Sequence, residues 1–345
     1  MPQAAPPDSS AHPDLPTHPD FPDHPDLPDL LLPRAMRPEV MEALAARFRL
    51  HRLDAAADPG GLLDAVGPRI RGIAAAAHGP IGGRLFDRLP RLEIVASFGV
   101  GYDTIDAREA GRRGIVVTNT PDVLTDEVAD LAVGLLLAAV RRIPQADRYL
   151  RAGRWPEASF PLTATLRERR VGILGLGRIG RAIARRLEGF GVGIAYHGRR
   201  PQPDAPYAYH DTLIGLARAC DVLMVVAPGG PDTRGVVDAA VLDALGPEGV
   251  LVNVARGSLV DEDALVAALR DGRIHAAGLD VFAREPHVPD ALLALEGAVL
   301  LPHVGSGSHH TRRAMGRLVV DNLVGWFSGK GPVTPVPETP WARSR

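Results

Sequence analysis

The chain has 345 residues, enough for about two domains with buried cores, and its 39 basic and 41 acidic residues leave a formal charge of -2. That balance excludes the strongly basic face of a nucleic-acid binder or a membrane-surface protein. Cys220 is the single cysteine, which excludes an intramolecular disulfide and points to a reducing compartment, the cytoplasm, while the single lysine, Lys330, excludes Schiff-base chemistry and a Walker-type phosphate loop.

Residues 1–33 are low in complexity, with His-Pro-Asp recurring at His12, His18 and His24. So many prolines fix backbone angles and remove donors, so a disordered, polyproline-like tail is expected, its histidines solvated and not metal-binding. No charged segment followed by an apolar core occurs there, so no secretory leader is expected. From Arg37 a helix-like stretch with Val40, Leu44, Ala45 and Phe48 on one face leads to Leu50. Apolar runs at Ile70–Ala77 and Leu92–Ser97 then alternate with helix-compatible segments, the pattern of a parallel, helix-covered sheet. Phe98 to Asp106 follows the second run directly. Its glycines, Gly99 and Gly101, would let the Val100 and Gly101 amides converge on a carboxylate, or would serve as an ordinary turn, and the residues alone leave both open.

A short strand over Ile115–Asn119 precedes a long helix, which Thr125, Asp126 and Glu127 should cap and which should end near Ile143, before Pro144. Its apolar run, Leu131–Val140, is bounded by Asp130 and Arg141 and falls short of the roughly 20 residues that a membrane span needs. Residues 147–165, with Trp155, show no periodicity.

Val171–Leu174 is an apolar run that passes into Gly175, Gly177 and Gly180 at G-x-G-x-x-G spacing, then a helix over Arg181–Phe190 and a second run over Val192–Tyr196. In this order the glycines make a dinucleotide site: Gly175 for the tight turn, Gly177 for close approach of the pyrophosphate, Gly180 for helix–strand packing. The helix N-terminus favours the anion. An NAD-selective unit carries Asp or Glu about 20 residues on, for the ribose 2′-hydroxyl. Here stand His197, Gly198, Arg199 and Arg200. Two guanidiniums can pair with a 2′-phosphate, so NADPH is expected over NADH; the competing reading is a solvated arginine turn.

Further strands are expected at Val222–Val226, Val250–Val254, Ala276–Val281 and Val299–Leu301, with a helix over Asp261–Leu269. Their ends deliver Arg256, Asp280 and His303 to one edge of the sheet. A last helix, Thr311–Phe327, should return to pack on the first domain. Arg256, Glu285 and His303 supply what reduction of a 2-keto acid requires. An imidazolium can protonate the oxyanion left by hydride arrival, a carboxylate can orient and stabilise that cation, and a guanidinium can hold the substrate carboxylate and polarise the carbonyl in one grip.

The motifs SFGVGYDTID, NTPDVLTDEVAD, GLGRIG, NVARGSLVDEDAL, GLDVFAREP and PHVGS stand in order and spacing. With them the chain resembles the D-isomer-specific 2-hydroxyacid dehydrogenase family, in its glyoxylate/hydroxypyruvate reductase branch, over about Pro38–Thr339. The resemblance implies Arg256, Glu285 and His303 as the catalytic triad and Val100 and Gly101 as carboxylate-binding backbone. It places Arg178 and Ile179 on the pyrophosphate, Pro228 and Thr233 near the ribose and nicotinamide, Asp280 on the carboxamide, and Thr125, Ala255 and Gly305 at the cofactor. It implies two α/β, doubly wound parallel-sheet domains of Rossmann and flavodoxin type with the cleft between them. Residues 34–122 and 305–340 would form a discontinuous substrate-binding domain and 123–304 the dinucleotide-binding domain, with no regulatory domain after them.

It also implies a homodimer whose Trp155 region reaches the partner's cleft. The substrates expected are glyoxylate, hydroxypyruvate and 2-ketogluconate. Alternatives are a phenylpyruvate or D-lactate type of dehydrogenase, or a nucleotide-sensing binding protein. Formate dehydrogenases of this fold carry Gln at the place of Glu285. Phe98, Tyr102, His78, Arg312 and Trp155 are candidates for the distal pocket.

Overall fold

A computed structural model describes residues 27–76 and 79–341. Two sheets, every strand pair parallel, organise the chain. The first has strands β1 (Asp29–Leu32), β2 (Arg49–Arg52), β3 (Ile70–Ala76), β4 (Ile94–Phe98) and β5 (Val116–Thr118), in the order β2-β1-β3-β4-β5. The second has β6 (Arg170–Leu174), β7 (Gly193–His197), β8 (Ala208–His210), β9 (Val222–Val225), β10 (Val250–Asn253), β11 (Ala276–Leu279) and β12 (Ala298–Leu300), in the order β12-β11-β10-β9-β6-β7-β8. Each order reverses once, between β1 and β3 and between β6 and β9. In open α/β sheets ligands bind outside the carboxyl ends of the strands at that reversal.

Strands buried on both faces read as continuous apolar runs, which is why β3, β4, β6, β9 and β10 stand where the sequence puts them. β1 does not. The tail was expected to reach residue 33, yet Leu30, Leu31 and Leu32 are fully buried between β2 and β3. Each buried leucine contributes about 2 kcal/mol, more than a disordered tail can match. Three leucines at the end of a proline-rich run were too short to stand out. The His12, His18 and His24 repeats, and His78, lie outside the described residues.

The helix expected from Arg37 to Leu50 is shorter, Pro38–Ala45, and its continuation is the polar edge strand β2. The long helix runs Thr125–Arg141 and is not capped as expected: Leu124 holds the N-cap place with no side-chain bond. Asp126 instead pairs with Arg186, and Glu127 accepts the hydroxyls of Ser308 and Thr311. Pro144 does not end this helix. The break falls at Arg142, with φ 50, and Pro144 sits in the first turn of a further helix, Ile143–Arg151, where its missing N–H is harmless. Part of the stretch read as aperiodic is therefore helical.

The last helix, His309–Phe327, returns to the first sheet, where Met315, Val319 and Leu323 pack with Val40, Leu44 and Phe98. Among the described residues no helix is long and apolar enough to cross a membrane.

Candidate active site

The glycine loop after β6 meets two steric requirements and leaves one position open. Gly175 has φ 98, and a Cβ there would meet the backbone of Ala227. A Cβ on Gly180 would collide with the Gly175 carbonyl, so the helix Arg178–Glu188 lies directly on the strand. Gly177 differs from both: its backbone is open to any residue, and nothing lies within 4 Å of the place a Cβ would take. It holds the N-cap position with no side-chain cap, so the first amides of the helix face open space beside the β6–β9 reversal. Arg178 is exposed there and pairs with Asp122 at 2.8 Å, while Ile179 is half-buried against both cores.

At the end of β7, His197 Nδ1 donates to the His210 carbonyl at 2.9 Å and the ring stacks on Tyr209. Arg199 and Arg200 follow, exposed, and among the described residues neither pairs with a carboxylate. Thr125 is half-buried at the start of its helix. Beyond β9 the Thr233 hydroxyl donates to the Pro228 carbonyl at 2.8 Å, which closes that loop on itself. After β10, Asn253 accepts the Ala255 amide at 3.0 Å and donates to the Arg256 carbonyl at 2.9 Å, so one buried amide shapes the turn that carries the arginine.

Glu285 and His303 form the core of the site. His303 Nδ1 lies 2.7 Å from Glu285 Oε2, and Glu285 Oε1 accepts the Phe282 amide at 2.9 Å. Burial pushes the Glu285 carboxyl up, but the hydrogen bonds from His303 and Phe282 and the charges of His303 and Arg256 outweigh it and hold it below its ordinary value. With Nδ1 engaged, Nε2 is the ring nitrogen left for chemistry. The His303 side chain is 41% exposed.

Asp280 is 1% exposed, and both its oxygens are engaged at 2.7 Å by the amides of Val304 and Gly305. Its carbonyl also accepts the His303 amide. Burial pushes its carboxyl above the usual range despite those amides. Its visible work is to fix the loop in which His303 adopts φ 53, a conformation costly for a non-glycine residue. Gly257 presses on the Phe282 backbone where no Cβ would fit, which joins the arginine turn to the segment that holds Glu285.

Arg256 reaches across to the first domain. Its Nε donates to Asp103 Oδ1 at 2.9 Å, Nη1 donates to the Ala255 carbonyl at 2.8 Å, and Nη2 fills the space beside Gly101. The Val100 carbonyl accepts from Asn119 Nδ2, and among the described residues neither the Val100 nor the Gly101 amide is engaged. Asp103 and the Phe282 amide were not singled out from the sequence. Asp103 stands in a quoted motif, yet only the fold shows that it meets Arg256, 153 residues away.

Of the distal-pocket candidates, Phe98 is buried under the Arg312 guanidinium, 5.7 Å from its ring centre. Tyr102 is turned away, its hydroxyl donating to Glu338 and pushed up to about 12 by burial and that carboxylate. Trp155 is 66% exposed, in the excursion beyond Arg151.

Residues 133–305 match the family model described as D-isomer specific 2-hydroxyacid dehydrogenase, NAD binding domain. The chain is 50% identical over 293 residues to glyoxylate/hydroxypyruvate reductase A of Arabidopsis thaliana, covering 85% of this chain and 94% of the relative. It is 42% identical over 308 residues to the 2-ketogluconate reductase of Gluconobacter oxydans, covering 89% and 98%. Among solved structures, an NADPH-dependent glyoxylate/hydroxypyruvate reductase from Sinorhizobium meliloti, in complex with NADP and malonate, superposes with a TM-score of 0.86 at 53% identity, covering 93% of this chain and 100% of that one.

Proposed function

The chain belongs to the D-isomer specific 2-hydroxyacid dehydrogenase family, and on that premise we propose that it reduces small 2-keto acids to D-2-hydroxy acids with NADPH, NADH serving less well. Glyoxylate and hydroxypyruvate are its foremost substrates and 2-ketogluconate a further one, in line with the relatives' names. The observation that carries the reading is the 2.7 Å pairing of His303 Nδ1 with Glu285, a carboxylate on which the charge of Arg256 also acts.

The loop after β6 fits a dinucleotide: an uncapped helix start, an open side at Gly177, and glycines forced by packing at Gly175 and Gly180. Those residues, with Arg178 and Ile179, would hold the pyrophosphate, and Arg199 and Arg200 a 2′-phosphate. NADP in the Sinorhizobium structure supports that choice. Thr125, Pro228, Thr233, Ala255 and Gly305 would line the remainder. Asp280 keeps a second lone pair on each oxygen for a carboxamide. When bound, the dinucleotide supplies a hydride to the carbonyl carbon.

Arg256 Nη2 and the unengaged amides of Val100 and Gly101 hold the substrate carboxylate and face its carbonyl oxygen. As the carbonyl π pair moves onto oxygen, His303 delivers the proton held at Nε2, and Glu285 steadies the imidazolium through Nδ1. Initial rates with NADPH and NADH against glyoxylate, hydroxypyruvate, 2-ketogluconate, pyruvate and phenylpyruvate test the reading. NADPH with glyoxylate or hydroxypyruvate should lead; preference for NADH, or no turnover alongside tight dinucleotide binding, overturns it.

The same proposal includes a homodimer. Ile143, Leu150, Trp155 and Leu162 are 53%, 55%, 66% and 100% exposed, and Ile143 and Leu150 line a hollow with Leu137, Arg141, Ala146 and Asp147. Apolar surface of this kind is buried in assemblies, and a monomer by light scattering would remove this part.

A further inference from the structure

We propose that Asp103 is a positioning residue for the reduction, acting through Arg256 and tying the seating of its guanidinium to the first domain. The inference rests on the functional reading above. Arg256 follows β10 and Asp103 follows β4, so their 2.9 Å bond crosses between the two sheet units, at side chains only 29% and 26% exposed. The arginine side chain is further enclosed by two glycines. A Cβ on Gly101 would collide with Nη2, and one on Gly229 would come 2.9 Å from Cγ.

A guanidinium offers carboxylates two edges, Nε with Nη2 and Nη1 with Nη2. Asp103 occupies Nε, which removes the first edge, and the Ala255 carbonyl takes one hydrogen of Nη1. What remains is presented at Nη2, beside the unengaged amides of Val100 and Gly101. The one-grip use of the whole guanidinium expected from the sequence is thus narrowed to a single directed nitrogen. Without Asp103 the long side chain keeps only its anchor on the neighbouring carbonyl, and its free rotations return.

Two physical effects of Asp103 oppose one another. As an anchor it improves substrate binding; as a nearby negative charge it weakens binding of an anionic substrate. Positioning and bare electrostatics therefore give opposite signs when the side chain is removed.

The experiment is steady-state kinetics with glyoxylate and NADPH on the full chain, with NADPH affinity read separately by fluorescence. Asp103→Ala should raise the KM for glyoxylate about tenfold or more, the range for one hydrogen bond to a charged group, and leave NADPH affinity within about twofold. Asp103→Asn keeps an acceptor oxygen without the charge and should recover most of that loss. An unchanged or lowered KM in the alanine variant, or an asparagine variant no better than alanine, overturns the inference. Should the alanine variant not fold, Asp103→Ser, too short to reach Nε, takes its place. A wild-type chain that turns over no 2-keto acid overturns the functional reading and this inference together; an active wild type with an unaffected alanine variant overturns this inference alone.

Discussion

Two glycine turns leave buried parallel strands at their carboxyl ends, one after β4 and one after β6, and they are built in opposite ways. Beside Gly101 the space for a side chain is filled by the Arg256 guanidinium of the other unit, whereas beside Gly177 it is open. The turn after β6 is completed by its own backbone, Gly180 against Gly175, and leaves room for a ligand. The turn after β4 is completed only when the two sheet units meet. One turn is a property of its own sheet unit, with Gly175 also held against Ala227, and the other a property of the assembled chain.

Filling the first space should have the largest effect. Gly101→Ala would displace Arg256 from its seat, and a shift of about 1 Å at a positioning group can lower kcat/KM about a hundredfold. NADPH affinity should stay within about twofold, because the β6 turn is untouched. Steady-state kinetics with glyoxylate checks the loss and fluorescence titration checks the binding; equal losses in both would dissolve the contrast between the turns.

At the β6 turn the charge beyond it outweighs the shape within it. Arg199→Ala with Arg200→Ala removes charge-assisted bonds worth about 2 kcal/mol in sum, so the KM for NADPH should rise about thirtyfold while that for NADH holds. Both arginines are exposed, so the melting temperature should not move. Gly177→Ala places a methyl where only the ligand would meet it, and should raise the NADPH KM about tenfold with no change in melting temperature or in the KM for glyoxylate. A loss of stability in either variant would mean that the space is structural.

The same contrast decides what could be read from residues. Gly175, Gly177 and Gly180 stand within six positions, between an apolar run and a helix-compatible segment, so strand, turn and helix were legible together even though Gly175 presses on Ala227 far along the chain. Strands buried on both faces, such as β9 and β10, announced themselves as apolar runs. β2 did not, because an edge strand reading Arg49-Leu-His-Arg52 has no apolar face to show. Glu127 looked like a local cap because its spacing suited one. Its partners, Ser308 and Thr311, are more than 180 positions away, and no local pattern encodes them. Asp103 was hidden for the same reason: its meaning lies in Arg256.

The smallest effect expected is a displacement along the pH axis, and it separates a charge from a shape. Glu285 is held below its ordinary value of 4.5, so it is ionised throughout the neutral range and presents its negative charge to His303 Nδ1. That charge steadies the imidazolium that gives up the proton, so reductase activity should fall on the acid side as Glu285 is protonated. Glu285→Gln keeps the size and an acceptor oxygen but removes the charge, so kcat/KM should be lower near pH 7 and the acid-side fall should move out of the measured range. An unchanged profile of kcat/KM against pH would take Glu285 out of this role. Stability gives an independent reading with its own sign. A carboxyl whose folded pKa is depressed stabilises the fold above its unfolded value, and that contribution is lost as pH falls through the folded one. The melting temperature of the wild type should therefore exceed that of the glutamine variant near pH 7, and the gap should close below 4.5. If the kinetic profile moves and no gap is seen near pH 7, the carboxylate acts on His303 through its charge while the fold is held by the shape of the side chain.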